Sequence, residues 1–432
     1  MKRYFSGVLL ALLFPLSSTV LAQSTSETAV LPIDPLVMTG KLPNGLTYYI
    51  RHNAKPEQRV SVRLAVKAGS ILENDDQQGL AHLTEHMAFN GTRKYPKNDL
   101  VSFLESNGIR FGAHLNAYTS FDETVYMLEL PTNKGDVLHK GIEVLSEWAH
   151  SVAFDSIEID KERGVVGEEW RLGLGANQRI ETKELPILLK GSHYADRLPI
   201  GKKPVIDTAR YETLRSFYRD WYRPDLMAIV ITGDIDPKQM LTEVKSLFGP
   251  MQNPAVERPR TQFDVPAHAD PYVSVQTDKE LSYATFQLEH FWLETPTKTV
   301  KDYRQNLMHY LCDQMFNARM SEIQQTMNPP YGSAGSYEGR GLGQTHSYTF
   351  YATLKPDSLL QGIHASLREV YRVKDQGFSA TELDRAKKEM LTGMENQYNE
   401  RDKTNSNNLV GEYVRNFLKD ESEPTTALIP FN

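Results

Sequence analysis

The run His82-Leu83-Thr84-Glu85-His86 places two imidazoles and a carboxylate at a spacing suited to metal-assisted hydrolysis. On an α-helix, residues four apart stand one above the other, so both rings can face a single metal ion. Glu85 comes three residues after the first histidine and beside the second, close enough to act on water at that metal. The order is H-x-x-E-H, the reverse of the commoner H-E-x-x-H. Such a helix supplies two ligands, and a third donor has to come from elsewhere in the chain.

The segment from Asp155 to Arg171 offers it. Asp155 suits a helix N-cap, with Glu158 three residues later. Glu162 and Glu169 are seven apart, nearly two helical turns, and so share a face on which Ile159 and Val166 also lie. Carboxylates on a mostly inward face are costly unless they are paired or bound to metal. A His, His, Glu set compensates that cost and leaves the fourth zinc position to water. Glu169 is the expected ligand, and Glu162 is expected a few ångströms away, orienting a histidine or a substrate group. Glu168 is the local rival, turned by about 100° from Glu169. Without the histidine helix, the same segment reads as a solvated acidic helix with ordinary salt bridges.

These residues, together with Leu42-Pro43-Asn44-Gly45-Leu46, Met87–Thr92, Asn116–Ser120, Glu123–Tyr126 and Phe217–Tyr222, resemble the pitrilysin/insulinase-type zinc peptidases, or inverzincins. The likeness is greatest to a bacterial periplasmic branch and runs from about residue 36 onward. The resemblance implies one Zn2+ per chain on His82, His86 and Glu169, with Glu85 activating the zinc-bound water and Glu162 supporting catalysis. It implies hydrolysis of peptide bonds in short or unfolded polypeptides, with an extended substrate along Asn116, Ala117 and Tyr118. It further implies that the chain is the N-terminal half of a four-unit protein, partnered by the C-terminal half or a homologous subunit. The alternative is a peptide-binding or structural half with no turnover in isolation. Relatives place an Arg and a Tyr from a later domain over the reacting carbonyl, but Arg319 and Tyr331 read here as a solvated helix arginine and a loop tyrosine. The stretch between His86 and Glu169 is somewhat longer than is common in the family, as an insertion in the intervening loops would make it.

The elements that must position these side chains follow from patterning. Strands are expected at 46–50, 60–66, 124–130 and 227–234, the last apolar on both faces. Helices are expected around His82–His86, after Asn98, over Val137–Ala149 and through Glu162–Glu169. Gly91 suits a left-handed C-cap and Gly173 a helix stop. The alternating, proline-free stretch 110–119 suits a sheet edge to which an extended peptide can add. The proline-rich stretch 251–266 is the expected linker between a metal-binding domain over 35–250 and a second unit over 267–432 that has no H-x-x-E-H and is shorter than the first. In that unit strands are expected at 271–276, 282–288 and 347–353, with helices over 303–325, 359–371 and 380–398. Residues 332–343, rich in glycine, read as a mobile connection. The fold class is therefore α+β, with duplicated units that each pack a mostly antiparallel sheet against helices.

Residues 1–22 have a basic start, an apolar core and small or aliphatic residues before Gln23, the pattern of a cleaved signal peptide. Export follows from that reading, with a bacterial periplasm the best fit among exported locations and no stable membrane anchor, since the apolar run is too short to span a bilayer. Without Lys2 and Arg3 the formal charge goes from -7 to -9, which disfavours nucleic acid as a partner. Cys312 is the single cysteine, so no internal disulfide forms, and its helical setting suggests a buried thiol.

Overall fold

The computed structural model describes residues 26–97 and 99–422; the expected signal segment lies outside them. The first unit runs β1 (Val37–Lys41), β2 (Thr47–His52), β3 (Arg59–Val66), α1 (Leu80–Phe89), α2 (Asp99–Ser106), β4 (Leu115–Thr119), β5 (Thr124–Pro131) and α3 (Val137–His150). It continues through α4 (Ser156–Leu172), α5 (Ala176–Leu188), α6 (Lys203–Thr208), α7 (Tyr211–Trp221), β6 (Met227–Gly233) and α8 (Pro237–Phe248). The strands form one sheet in the order β1-β2-β6-β3-β5-β4. Only β2 and β6 pair in parallel.

Period-two alternation decides what each face of this sheet touches. Val60, Val62, Leu64, Tyr126, Leu128, Ile229 and Ile231 point to the side that also buries Trp148, Phe217 and Trp221 from α3 and α7. Ala65, Val125, Ala228 and Val230 point to the other side. Every residue of β6 is buried, as its unbroken apolar run requires.

The second unit comprises β7 (Ala284–Leu293), α9 (Val300–Gln324), β8 (Ser333–Arg340), β9 (Thr345–Leu354), α10 (Leu359–Gln376) and α11 (Ala380–Glu400). Its antiparallel sheet has the order β7-β9-β8, which repeats β3-β5-β4, and α9 follows β7 as α1 follows β3. The duplicated α+β plan is thus visible in strand order. A last helix, α12 (Ser406–Lys419), lies in the range expected for the second unit but packs Leu409, Val410, Tyr413, Val414 and Phe417 onto the outer face of the first sheet.

Several local expectations need correction. Residues 271–276 join no strand ladder, and Val273 and Val275 are exposed. The glycine-rich stretch expected to be a mobile connection is instead β8, because Gly335 lets α9 approach. A Cβ there would meet Asn317 Oδ1 at 2.7 Å, while Asn317 itself bonds the Ser336 carbonyl and N–H. Cys312 is exposed, because it lines an open cavity between α9 and the sheet with Phe316 and Tyr348 rather than packing into the core. Tyr331 is fully buried with its hydroxyl donating to the Met320 carbonyl at 3.1 Å, so it is a core residue. Arg319 is not freely solvated; it is paired with Glu382 and donates to the Gly377 carbonyl. Residues 251–266 form no helix or strand and run back along the first unit, where Arg260 donates to the Lys67 carbonyl.

Candidate active site

Two helices make the site. α1 begins at Gly79, whose φ of 102° is open to glycine and strained for other residues. A Cβ on Gly79 would also meet Ile206 Cγ1 at 2.8 Å. Gly79 has no side chain to cap the helix, and Glu73 does so from a distance. Its Oε1 accepts from the N–H groups of Gly79 (3.0 Å) and Ala81 (2.8 Å). Burial pushes the Glu73 carboxyl up to about 8, against those two hydrogen bonds. Sequence reasoning missed this residue; a glutamate six positions ahead of the helix glycine was the available signal.

α4 starts at the expected cap, with Asp155 accepting from the N–H groups of Ile157 and Glu158. Ile159 and Val166 are fully buried among Leu80, Leu83 and Met87 of α1. This apolar seam fixes the rotation of α4, and so turns Glu162 and Glu169 toward the histidines. Glu162 meets His86 and Asn90, near the end of α1, whereas Glu169 reaches back to His82 as well as His86. The two helices therefore run antiparallel across the site.

The Nε2 atoms of His82 and His86 are 3.1 Å apart, and Glu169 Oε2 is 3.7 Å from the first and 3.5 Å from the second. Ligands about 2.0–2.1 Å from a tetrahedral zinc ion would be separated by about 3.3 Å. The triangle fits such an ion, and two nitrogens with one carboxylate oxygen are a suitable donor set. Glu168 turns away and pairs with Arg171 on the surface.

Proton placement agrees with that fit. Glu162 Oε1 lies 2.7 Å from His86 Nδ1 and accepts its hydrogen, so His86 Nε2 presents a lone pair to the triangle. Burial opposes a charged His86, but the hydrogen bond to Glu162 and the charges of Glu169, Glu85 and Glu162 outweigh it and raise its pKa. His82 is held neutral: burial, then the neighbouring His86, lowers its pKa to about 3. Its Nδ1 is buried with no hydrogen-bond partner among the described residues. At these separations a cation between the two Nε2 atoms and Glu169 satisfies all three donor atoms.

Glu85 is 6% exposed, and burial raises its carboxyl pKa against a hydrogen bond from Thr119 and the charge of His86. Asn90 donates to Glu162 Oε2 at 2.7 Å and to the His86 carbonyl at 3.1 Å. Thr119 and Asn90 were absent from the sequence-derived site, although both fall inside the quoted motifs.

The three residues expected to meet substrate, Asn116, Ala117 and Tyr118, lie on β4, the outermost strand next to β5. Asn116 and Tyr118 are exposed, whereas Leu115, Ala117 and Thr119 share the face toward α1. Asn116 Oδ1 accepts from the Ala117 N–H at 2.9 Å. The remaining histidines considered have local partners: His52 the Ile235 carbonyl, His139 Glu243, His150 the Ser146 carbonyl and His114 the Arg110 N–H, while His193 stacks on Phe263.

Comparison with known proteins agrees with this geometry. The family profile described as Insulinase (Peptidase family M16) matches residues 48–177, and Peptidase M16 inactive domain matches residues 208–390. The chain is 35% identical to "Probable zinc protease PqqL" of Haemophilus influenzae over 85% of its own length and 40% of that relative. For the protein of the same name from Escherichia coli the values are 33%, 90% and 42%. The chain thus spans about two fifths of the curated relatives it matches. It superposes on the crystal structure of the first half of the periplasmic protease PqqL from Escherichia coli with a TM-score of 0.85 and 31% identity, covering 92% of this chain and 85% of that one. With both units matched in order and the H-x-x-E-H helix in place, the chain belongs to the insulinase family of peptidases, M16.

Proposed function

We propose that this chain is the metal-bearing half of a zinc endopeptidase that cleaves short or unfolded polypeptides in the periplasm, completed by the C-terminal half of the same protein or a homologous subunit. The observation that carries the reading is the cluster of His82, His86 and Glu169, whose donor atoms lie within 4.8 Å of one another, with Glu85 beside it. One Zn2+ per chain held there supplies Lewis acidity toward the scissile carbonyl and lowers the pKa of water. Glu85 takes the proton of the attacking water and passes it to the departing amine. Burial raises its carboxyl pKa above the ordinary value, which favours uptake of the water's proton. Glu162 keeps the His86 ring turned so that Nε2 faces the metal position.

Substrate binds as an added strand along β4, at Asn116, Ala117 and Tyr118. An incoming backbone carbonyl replaces the Asn116 side chain on the Ala117 N–H, which holds the peptide in register. The periplasmic location draws on the Escherichia coli relative, which is described as periplasmic. Among the described residues, no helix is long and apolar enough to cross a membrane. The share of the relatives that this chain covers favours a second reading for the half alone: it binds zinc and peptide, with no turnover until its partner closes over the site.

Metal content and peptide turnover of the full protein test the assignment. Glu85→Gln is expected to keep one zinc and lose about 10²- to 10⁴-fold in kcat. His86→Ala is expected to lose both metal and turnover. A fully active Glu85→Gln protein removes Glu85 from the mechanism.

A further inference from the structure

We infer that Thr119 is the positioning residue that aims Glu85, an inference that rests on the peptidase reading above. Thr119 ends β4, and its Oγ1 lies 2.8 Å from Glu85 Oε2. The hydroxyl hydrogen is committed to that bond. The other neighbour, Thr124 Oγ1, is 3.4 Å away and sends its own hydrogen to the Ala68 carbonyl at 2.9 Å. The nearby phenols do not compete for the carboxylate. Tyr126 and Tyr222 are bonded to each other at 2.9 Å, and Glu85 reaches them only through its charge. Thr119 is therefore the one hydrogen-bond donor to the Glu85 side chain among the described residues, and it leaves Oε1 free to exchange a proton.

A glutamate side chain has a broad, soft torsion at its carboxyl end, so a single strong bond decides where the free oxygen points. Threonine suits the task because its branched side chain has few rotamers on a strand. Without the hydroxyl, the Glu85 carboxylate can swing away from the reacting water or toward the metal position, and the reaction slows although every ligand is still in place. The Thr119 side chain faces α1 rather than the open edge of β4, so substrate binding does not depend on it.

The test compares Thr119→Val, Thr119→Ser and Glu85→Gln in the full protein. Thr119→Val is expected to lower kcat about 10- to 100-fold with KM and zinc content unchanged. Thr119→Ser restores the rate, and Thr119→Val adds no further loss to Glu85→Gln. A second readout needs no turnover: the infrared carboxylate band of Glu85, isolated by subtracting the spectrum of Glu85→Gln in metal-free protein, shifts in Thr119→Val and returns in Thr119→Ser. Wild-type kcat in Thr119→Val, a further loss in the Glu85→Gln background, or an unmoved band overturns the inference. Absence of peptide cleavage by the wild-type protein overturns the peptidase reading instead, and the infrared shift still decides whether Thr119 holds Glu85.

Discussion

Glu162 is bonded on both carboxylate oxygens, to His86 Nδ1 and to Asn90 Nδ2, and its side chain is only 13% exposed. Removing it leaves a buried imidazole N–H without an acceptor and frees the ring to rotate. Glu162→Ala is accordingly expected to weaken zinc affinity about 10- to 100-fold while the fold is retained. Competition with a chromophoric chelator measures this, and an unchanged affinity excludes the orienting role. At this scale the sequence was informative about the types and spacing of the candidate donors, because a rigid helix converts residue number directly into direction. It did not disclose Thr119, since a strand hydroxyl and a glutamate 34 positions away meet only when β4 lies over α1.

The placement of α1 is set by an element outside it. Glu73 supplies the acceptor that Gly79 lacks, and burial holds its carboxyl pKa above the ordinary 4.5, at about 8. A folded-state pKa above the unfolded one means that the folded protein binds the extra proton between those values. Its contribution to stability is fully present below about pH 4.5 and is lost as pH rises through about 8. Glu73→Gln cannot titrate, so its melting temperature relative to wild type should climb as pH rises across that window, in metal-free protein. A constant difference between the two proteins from pH 5 to 8 would exclude this linkage. Helix α4 makes the complementary point. Its apolar seam of Ile159 and Val166 was readable from spacing, and that seam turns both glutamates toward the histidines, with Glu162 half-buried and Glu169 exposed.

Across the whole molecule, α12 binds the two units together. It belongs in sequence to the second unit, yet it covers the outer face of the first sheet. Asn53 and Arg51 bond to Ser406 and Tyr413, and Asp34 accepts from the Tyr413 hydroxyl. Leu409→Ala removes a buried side chain from this contact and is expected to cost about 2–5 kcal/mol. Its urea midpoint, followed by tryptophan fluorescence and by circular dichroism, should fall together in both signals. A midpoint equal to that of wild type would show that α12 does not hold the sheet.

The sequence by itself determined the two helices that carry His82, Glu85, His86, Glu162 and Glu169, and every strand of the first unit except β1, because their periodicity is local. The order of the first sheet, the return of α12 to it and the strand identity of 333–340 were decided only by tertiary structure. In each case the deciding contact joins residues far apart in the chain: Asn317 against Gly335 and Ser336, Val230 against the α12 seam, Thr119 against Glu85. Residue pattern records which side of an element is apolar; it does not record which distant element will cover it.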